Sequence, residues 1–446
     1  FERPARECGP FLFRAACDRA CQSFFPMTAF PVDVQRQNQL VAHVREAVAR
    51  GEIELGERIC REMTAAGWGD GRTWLVIAEV ACRVGRRDIA LDAVGRAEKS
   101  TGATAGEISA ARSAAEALPE QPDRADGIHI IRSWGQGFWS DVDHVIGQLA
   151  VAEMTGRTPI VLWGGNSRFG DGGANAWESF FEPVSRGVVA REATYFPSKW
   201  RADNLMVAGN GAFSGPGSRI AFLPFLSSDA KVTVSDFHAP LIAISHWIRP
   251  TSPLSGMTRP AMYPALLKKH LRVRSELAAR ADETASKLGV GNAQSPVIAV
   301  HVRGSDKVIE MGDMRPVHAA YQAEVDRQLG VLGKDARVLL LTDWQPAADE
   351  YRSRYGTRMI ETGSLRTAGT VGLHFHDNRD GRRLGEDVLT DSLLASRCRA
   401  LIGLGWSNVS LYMAYLAKNS GMSDENISLL GPNLHDNYNW TLLRRG

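Results

Sequence analysis

From residue 128 onward, short apolar runs alternate with stretches of helical period. Residues 128–131, 159–163, 297–300, 338–341 and 400–404 are runs of the kind that form strands buried on both faces of a parallel sheet, and 359–360 is a briefer one. Between them the apolar positions recur at helical spacing, as in Val142, Val145, Ile146, Leu149, Ala150 and Met154, with Gly156 as the stop. Residues 319–332, 387–397 and 409–418 read as further helices. This alternation predicts an α/β protein with two parallel sheets. Residues 263–288 read as one long amphipathic helix ended by Gly289, Gly291 and Asn292, with Pro264 tolerated near its first turn. Residues 184–250 carry Gly and Pro throughout and show no usable period.

Residues 34–118 differ, being helical and rich in alanine. Trp74, Ile77, Ala78, Ala81, Gly85, Ala90, Val94 and Ala97 fall at the offsets of a tetratricopeptide repeat, and Gly51, Gly56, Cys60 and Met63 make a weaker copy. Two such repeats are fewer than the roughly three a free-standing array needs. The helices are expected to dock on the domain behind them or to self-associate, and a plain helical cap fits equally well. Residues 121–127 read as a linker. The organisation expected is then a 1–33 extension, a 34–120 helical region, and α/β domains at 126–290 and 291–446. Residues 1–26 have no helical period, and Met27 would make a natural start.

Composition narrows the function classes. The 446 residues are 44% apolar and carry a net charge of +2, which gives no global signal for nucleic acid. No apolar run is long enough to span a bilayer. The six cysteines form no Cys-x-x-Cys pair, which argues against a zinc site and for a reducing, cytoplasmic setting.

The candidate chemistry sits where strands end. The run at 297–300 breaks abruptly into His301, Arg303, Asp306 and Lys307. Ligands of open α/β sheets bind outside the carboxyl ends of the strands, and an Arg fork suits a phosphate. A solvated, charged turn would look the same. The strand at 338–341 leads to Asp343. The first α/β domain offers Gly135 and Gly137 between a strand and a helix, a turn that lets backbone amides approach an anion. A second glycine turn, Gly405-Trp406-Ser407-Asn408, precedes the last helix. Aromatic residues cluster at 163–183, where plain packing is favoured over sugar stacking. His374, His376, Asp377 and Asp380 carry a weak metal signal, because neighbours on one loop rarely close a site without distant ligands.

The stretch from His301 to Lys307 resembles the His-x-Arg motif of the fucosyltransferase superfamily, which comprises α1,6-, α1,2- and protein O-fucosyltransferases. Leu341-Thr342-Asp343 resembles its second motif. Asp391 to Asn408 resembles its third, in which a carboxylate precedes a serine turn by a fixed distance. The segment 135–163 resembles the superfamily's first glycine loop, helix and strand, and 175–183 looks like the rhizobial nodulation enzymes. The resemblance covers roughly residues 126–440. It implies a GT-B glycosyltransferase with two facing Rossmann-like domains, inverting and metal-independent, with GDP-β-L-fucose as donor. It also implies roles. Arg303 would meet the β-phosphate and Asp306 would orient Arg303. Ser407 and Asn408 would hold the phosphates, Asp391 would accept from guanine, and His301 would contact the nucleotide. Gly135, Gly137 and Asp343 would complete the nucleotide-sugar site. The general base would be Glu310, assisted by Lys307, although the family's offset falls on Met311. The second arginine of the α1,6 enzymes is Gly304 here, so the linkage stays open. A chito-oligosaccharide, a surface polysaccharide or a protein side chain would each serve as acceptor. Two rivals remain: a GT-B enzyme with another donor sugar, and a module that only binds a nucleotide sugar or, through residues 34–118, a protein.

Overall fold

The computed structural model describes residues 34–65, 68–120, 125–170, 174–189, 191–207, 222–249, 252–304, 315–376, 380–431 and 433–435. They fall into two compact units, one holding residues 34–272 and His435, the other residues 273–434. The expected extension at 1–33 lies outside the described residues. No described helix is long and apolar enough to cross a membrane.

The first unit begins with five helices: α1 Val34–Ala49, α2 Ile53–Ala65, α3 Gly71–Arg83, α4 Arg87–Glu98 and α5 Ala105–Glu116. Asp70 caps α3 by accepting the Thr73 amide at 3.0 Å, and Thr104 with Glu107 forms a capping box on α5. Ile77, Ala78 and Ala81 of α3 and Ala90, Val94 and Ala97 of α4 are buried, small enough for the two helices to pack closely. Trp74 stays half-buried with the Arg96 guanidinium 4.9 Å from its ring. The helices dock on the α/β part of the same unit. Arg86, 3% exposed, donates to the Leu226 carbonyl at 3.3 Å, and Asp88 pairs with Arg249 at 3.0 Å.

A parallel four-stranded sheet follows, built from β1 Ile128–Arg132, β2 Thr158–Leu162, β3 Tyr195–Phe196 and β4 Val232–Ser235 in the order β2-β1-β4-β3. Helix α6 Phe138–Thr155 crosses from β1 to β2, and it is buried almost throughout. Strand β4 has only four residues, Val-Thr-Val-Ser, all buried between β1 and β3. Its polar face is satisfied inside the protein, because Thr233 bonds His129 at 2.7 Å. The alternation Val-Thr-Val-Ser spans only four residues, too short to stand out in a stretch with Gly and Pro throughout. The short helices α7 Leu223–Ser227 and α8 Leu241–Ile244 flank the sheet, and α9 Arg259–His270 closes the unit.

The long helix expected at 263–288 is two helices, α9 and, in the second unit, α10 Ser275–Leu288. Between them the Arg272 carbonyl accepts the Glu182 amide at 2.8 Å, a tertiary bond that takes the backbone out of the helix. Ser275 and Glu276 then supply a fresh amino-terminal turn, with the acid where the helix dipole favours it.

The second unit is a five-stranded parallel sheet: β5 Val297–His301, β6 Arg337–Leu341, β7 Met359–Glu361, β8 Ala400–Leu404 and β9 Ile427–Leu430, in the order β7-β6-β5-β8-β9. Helices α11 Arg315–Leu332 and α12 Gln345–Tyr355 cover one face. Helices α10, α13 Gly381–Ala395 and α14 Asn408–Asn419 cover the other. Strand β5 shows why an unbroken apolar run was needed: Ile298 and Val300 enter one core, Val297 and Ala299 the other. Helix α13 starts at Gly381 rather than 387, because the Asp380 carboxylate accepts the Arg383 amide at 3.0 Å.

Candidate functional site

In the second sheet the chain runs from β5 outward to β6 and β7, then returns to β8 and β9 on the other side. The carboxyl ends of β5 and β8 therefore diverge, which makes the crevice where open α/β sheets bind ligands. His301 ends β5, Arg303 follows it, Asp343 follows β6, and Ser407 starts α14 after β8.

Arg303 forms an ion pair with Asp343. Both are mostly buried, so the pair fixes the guanidinium at the carboxyl end of the strands, with its geometry set by tertiary structure. His301 is 5% exposed, and its Nδ1 lies 2.6 Å from Ser410 Oγ. The Ser410 hydroxyl accepts the Leu404 amide at 3.0 Å, which leaves its proton for the imidazole. Burial pushes the imidazole down to about 3, and the Arg303 charge adds to it, so His301 is neutral. Gly403 makes this contact feasible, since a Cβ there would lie 2.7 Å from Ser410 Cβ.

Ser407 occupies the N-cap position of α14 without a side-chain capping bond, and the first turn carries no acid. A twelve-residue helix with that start presents amide donors and a partial positive charge to an anion. Asp391 comes from α13 and is 7% exposed. Ser364 donates to its Oδ1 at 3.1 Å. Burial raises its carboxyl to about 7, the Thr362 and Ser364 hydroxyls and the Arg366 charge pull against that, and Asp387 adds to it. Near neutrality it is therefore divided between its protonated and charged forms, and the charged form is the one that accepts N–H donors.

The first unit's glycine turn is built otherwise. Asp141, in the first turn of α6, accepts the amides of Gly135 and Gln136 at 3.1 Å each and contacts Ser133. Burial lifts this carboxyl to about 6, against those hydrogen bonds. The amides expected to meet a phosphate at Gly135 are bound internally, by a group of the same sign. Gly137 caps α6 through its backbone alone.

No protein-family model and no curated protein sequence matches this chain. Solved structures do. NodZ α1,6-fucosyltransferase soaked with GDP-fucose is 19% identical at a TM-score of 0.43, over 65% of this chain and 92% of that one. Fucosyltransferase NodZ from Bradyrhizobium gives 19% and 0.44, over 64% and 91%. POFUT1 in complex with GDP gives 15% and 0.41, over 69% and 99%. The chain is similar to solved fucosyltransferase structures. At this identity, donor and reaction have to be argued from the site residues.

Of those residues, the structure brings His301, Arg303 and Asp343 together. It holds Asp391 in a second cluster with Thr362, Ser364 and Arg366, and sets Ser407 and Asn408 at a helix start. Asp306, Lys307 and Glu310 lie outside the described residues. Asp343, named as a nucleotide-sugar residue, is an ion-pair partner of Arg303. Gly304 is enclosed: a Cβ there would come within 2.4 Å of the Trp344 ring, so a side chain at 304 would displace Trp344. Ser410, Thr362 and Ser364 went unnoticed in the sequence, and the glycine at 403 was the one available signal for Ser410. The aromatic residues at 163–183 are core. Trp163, Trp177, Phe180 and Phe181 are at most 1% exposed; Trp163, Phe180 and Phe181 pack with Phe138, and Trp177 packs with Trp163 and Phe181. Asp380 is a helix cap, His376 lies 3.4 Å from the Val371 carbonyl, and no group of metal ligands occurs among the described residues.

Proposed function

We propose that this chain is an inverting glycosyltransferase of the GT-B type. It transfers L-fucose from GDP-β-L-fucose to a hydroxyl of a glycan or protein. The reading rests above all on Arg303, held by Asp343 at the strand-end crevice of the second unit. Sugar transfer passes through an oxocarbenium-like state while negative charge grows on the departing diphosphate. Arg303 meets that charge with a two-pronged donor, and the α14 amino terminus adds amides and a partial charge, the work that a cation does in other transferases. Asp391 supports guanine as the base, since guanine offers N1–H and an amino group to one carboxylate, whereas uracil offers a single N–H. The remaining positions named from the sequence keep their roles as proposals, with Asp306 and Lys307 beside Arg303. The 34–118 helices are proposed as a tetratricopeptide-like accessory.

The test is release of free nucleotide from a panel of nucleotide sugars, with and without EDTA. GDP-fucose should turn over and should survive the chelator. Turnover of a uridine sugar alone would overturn the Asp391 assignment. Loss with EDTA restored by Mn²⁺ or Mg²⁺ would overturn the role given to Arg303.

A further inference from the structure

The loop after β7 joins two clusters of the second unit. At its start, the Thr362 and Ser364 hydroxyls lie 2.9 Å apart, and Ser364 donates to Asp391. The Leu365 amide lies 3.5 Å from an oxygen of Asp387, one turn earlier on α13. At its end, the Thr367 amide donates to the Asp343 carbonyl, and the Thr367 carbonyl accepts the Gln345 amide, each at 2.8 Å. The segment 362–367 thus runs from Asp391 to the backbone of the residue that holds Arg303. Arg366 sits between these anchors.

One edge of the Arg366 guanidinium is committed and the other is not. Its side chain is 11% exposed, and Nη1 donates to Glu361. The other oxygen of Glu361 takes Arg352 at 2.8 Å, so the carboxylate is held from both sides. Nε is buried without an acceptor, and Nη2 has none either, among the described residues. Nε and Nη2 form one edge of the rigid guanidinium plane, a fork of two parallel donors. A donor taken out of water without an acceptor is costly, so an orphaned buried edge marks a place where a ligand gains by binding. Burial raises the Asp391 carboxyl and the Arg366 charge opposes it, so each group lies in the other's field.

The proximity to Asp391 decides what the fork meets. A carboxylate that takes guanine N1–H and the amino group holds the base along one edge. The adjacent edge presents O6 and N7, two acceptors that an arginine fork meets with both donors. Adenine carries an amino group in place of O6 and would set a donor against a donor. We propose that Arg366, positioned by Glu361, reads guanine O6 and N7 through Nε and Nη2 and, with Asp391, restricts the donor to a guanine nucleotide. The proposal rests on the guanine reading of Asp391 above.

The experiment measures binding of GDP, 7-deaza-GDP and IDP by calorimetry to the full chain as wild type, Arg366→Met and Arg366→Lys, with thermal unfolding beside it. Wild type should bind 7-deaza-GDP, which lacks only the N7 acceptor, about tenfold more weakly than GDP. Arg366→Met should bind GDP about 10–100-fold more weakly than wild type and should no longer tell it from 7-deaza-GDP. Arg366→Lys keeps the charge, loses the fork, and should lose the same discrimination. IDP, which lacks the amino group that Asp391 takes, should be weakened by the same factor in all three proteins. Wild type that binds GDP and 7-deaza-GDP within about twofold of each other overturns the role of Arg366, leaves the Asp391 reading standing, and needs no variant. A folded Arg366→Met protein that keeps wild-type GDP affinity, or still separates the two nucleotides, overturns it as well. Wild type that binds no GDP overturns the donor reading, and this role with it.

Discussion

The turn after β1 and the turn after β8 are alike in sequence: strand, glycine, aromatic residue, helix. They differ in what satisfies the helix start. After β1, Asp141 in the first helical turn bends back and takes the amides of Gly135 and Gln136. After β8, α14 begins Asn-Val-Ser with no acid, and its Ser410 hydroxyl turns to Leu404 and His301. The first turn is therefore closed by its own anion, and the second has no acid in its first helical turn, which is where the proposed reading puts the diphosphate. A glycine turn before a helix does not by itself mark a phosphate site.

Three measurements sharpen that contrast. The largest effect is expected at Arg303, beside the second turn. Arg303→Ala should lower kcat by about 10²–10³, because the contact strengthens as charge grows on the leaving group. Arg303→Lys keeps the charge, loses the fork, and should be impaired almost as much. Thermal stability is read beside kcat. A folded variant with near-wild-type turnover would leave Arg303 as only the structural partner of Asp343.

Asp391 comes next. Asp391→Asn should weaken GDP binding by roughly 10–100-fold, the cost of losing a charged acceptor for two donors. Its carboxyl stands at about 7 in the fold, above its ordinary 3.8. The protonated form is therefore favoured in the native state. The stability it contributes is complete below about pH 4 and is lost as pH rises through about 7. Asn carries no charge to bury, so the variant should be more stable than wild type at pH 8, with the difference vanishing in acid. GDP affinity of the wild type should likewise fall below pH 7, approaching tenfold per unit. A pH-independent affinity between 5.5 and 8 would separate Asp391 from the nucleotide.

The smallest effect on ligand binding is expected at Asp141. Asp141→Ala strands two half-buried amides and should cost about 1–3 kcal/mol in urea unfolding, with GDP affinity within twofold of wild type. A clear loss of GDP affinity would return the first turn, with Gly135 and Gly137, to the donor site.

Much of this was open to reading along the chain. The buried runs at 297–300, 338–341 and 400–404 are strands because a parallel sheet covered on both faces needs apolar residues at every position. The abrupt change to His301 and Arg303 marked the strand end correctly. Strand β4 was hidden because its alternation, Val-Thr-Val-Ser, lasts only four residues, and Thr233 and Ser235 are as buried as Val232 and Val234. The break between α9 and α10 was hidden too, since the bond that causes it comes from residue 182, far away in sequence.

The sequence by itself determined the elements whose signal is local: apolar runs, helical periods, the glycines that end them, and the acid or its absence in a first helical turn. Only the tertiary structure decided which polar groups meet. It gave Arg303 to Asp343, His301 to Ser410, Asp391 to Ser364 and His238 to Asp143, and it filled the space over Gly304 with Trp344. Each of these pairs joins residues from different elements. Their meeting depends on strand order and helix placement, and those follow from the packing of the whole core and have no local signature.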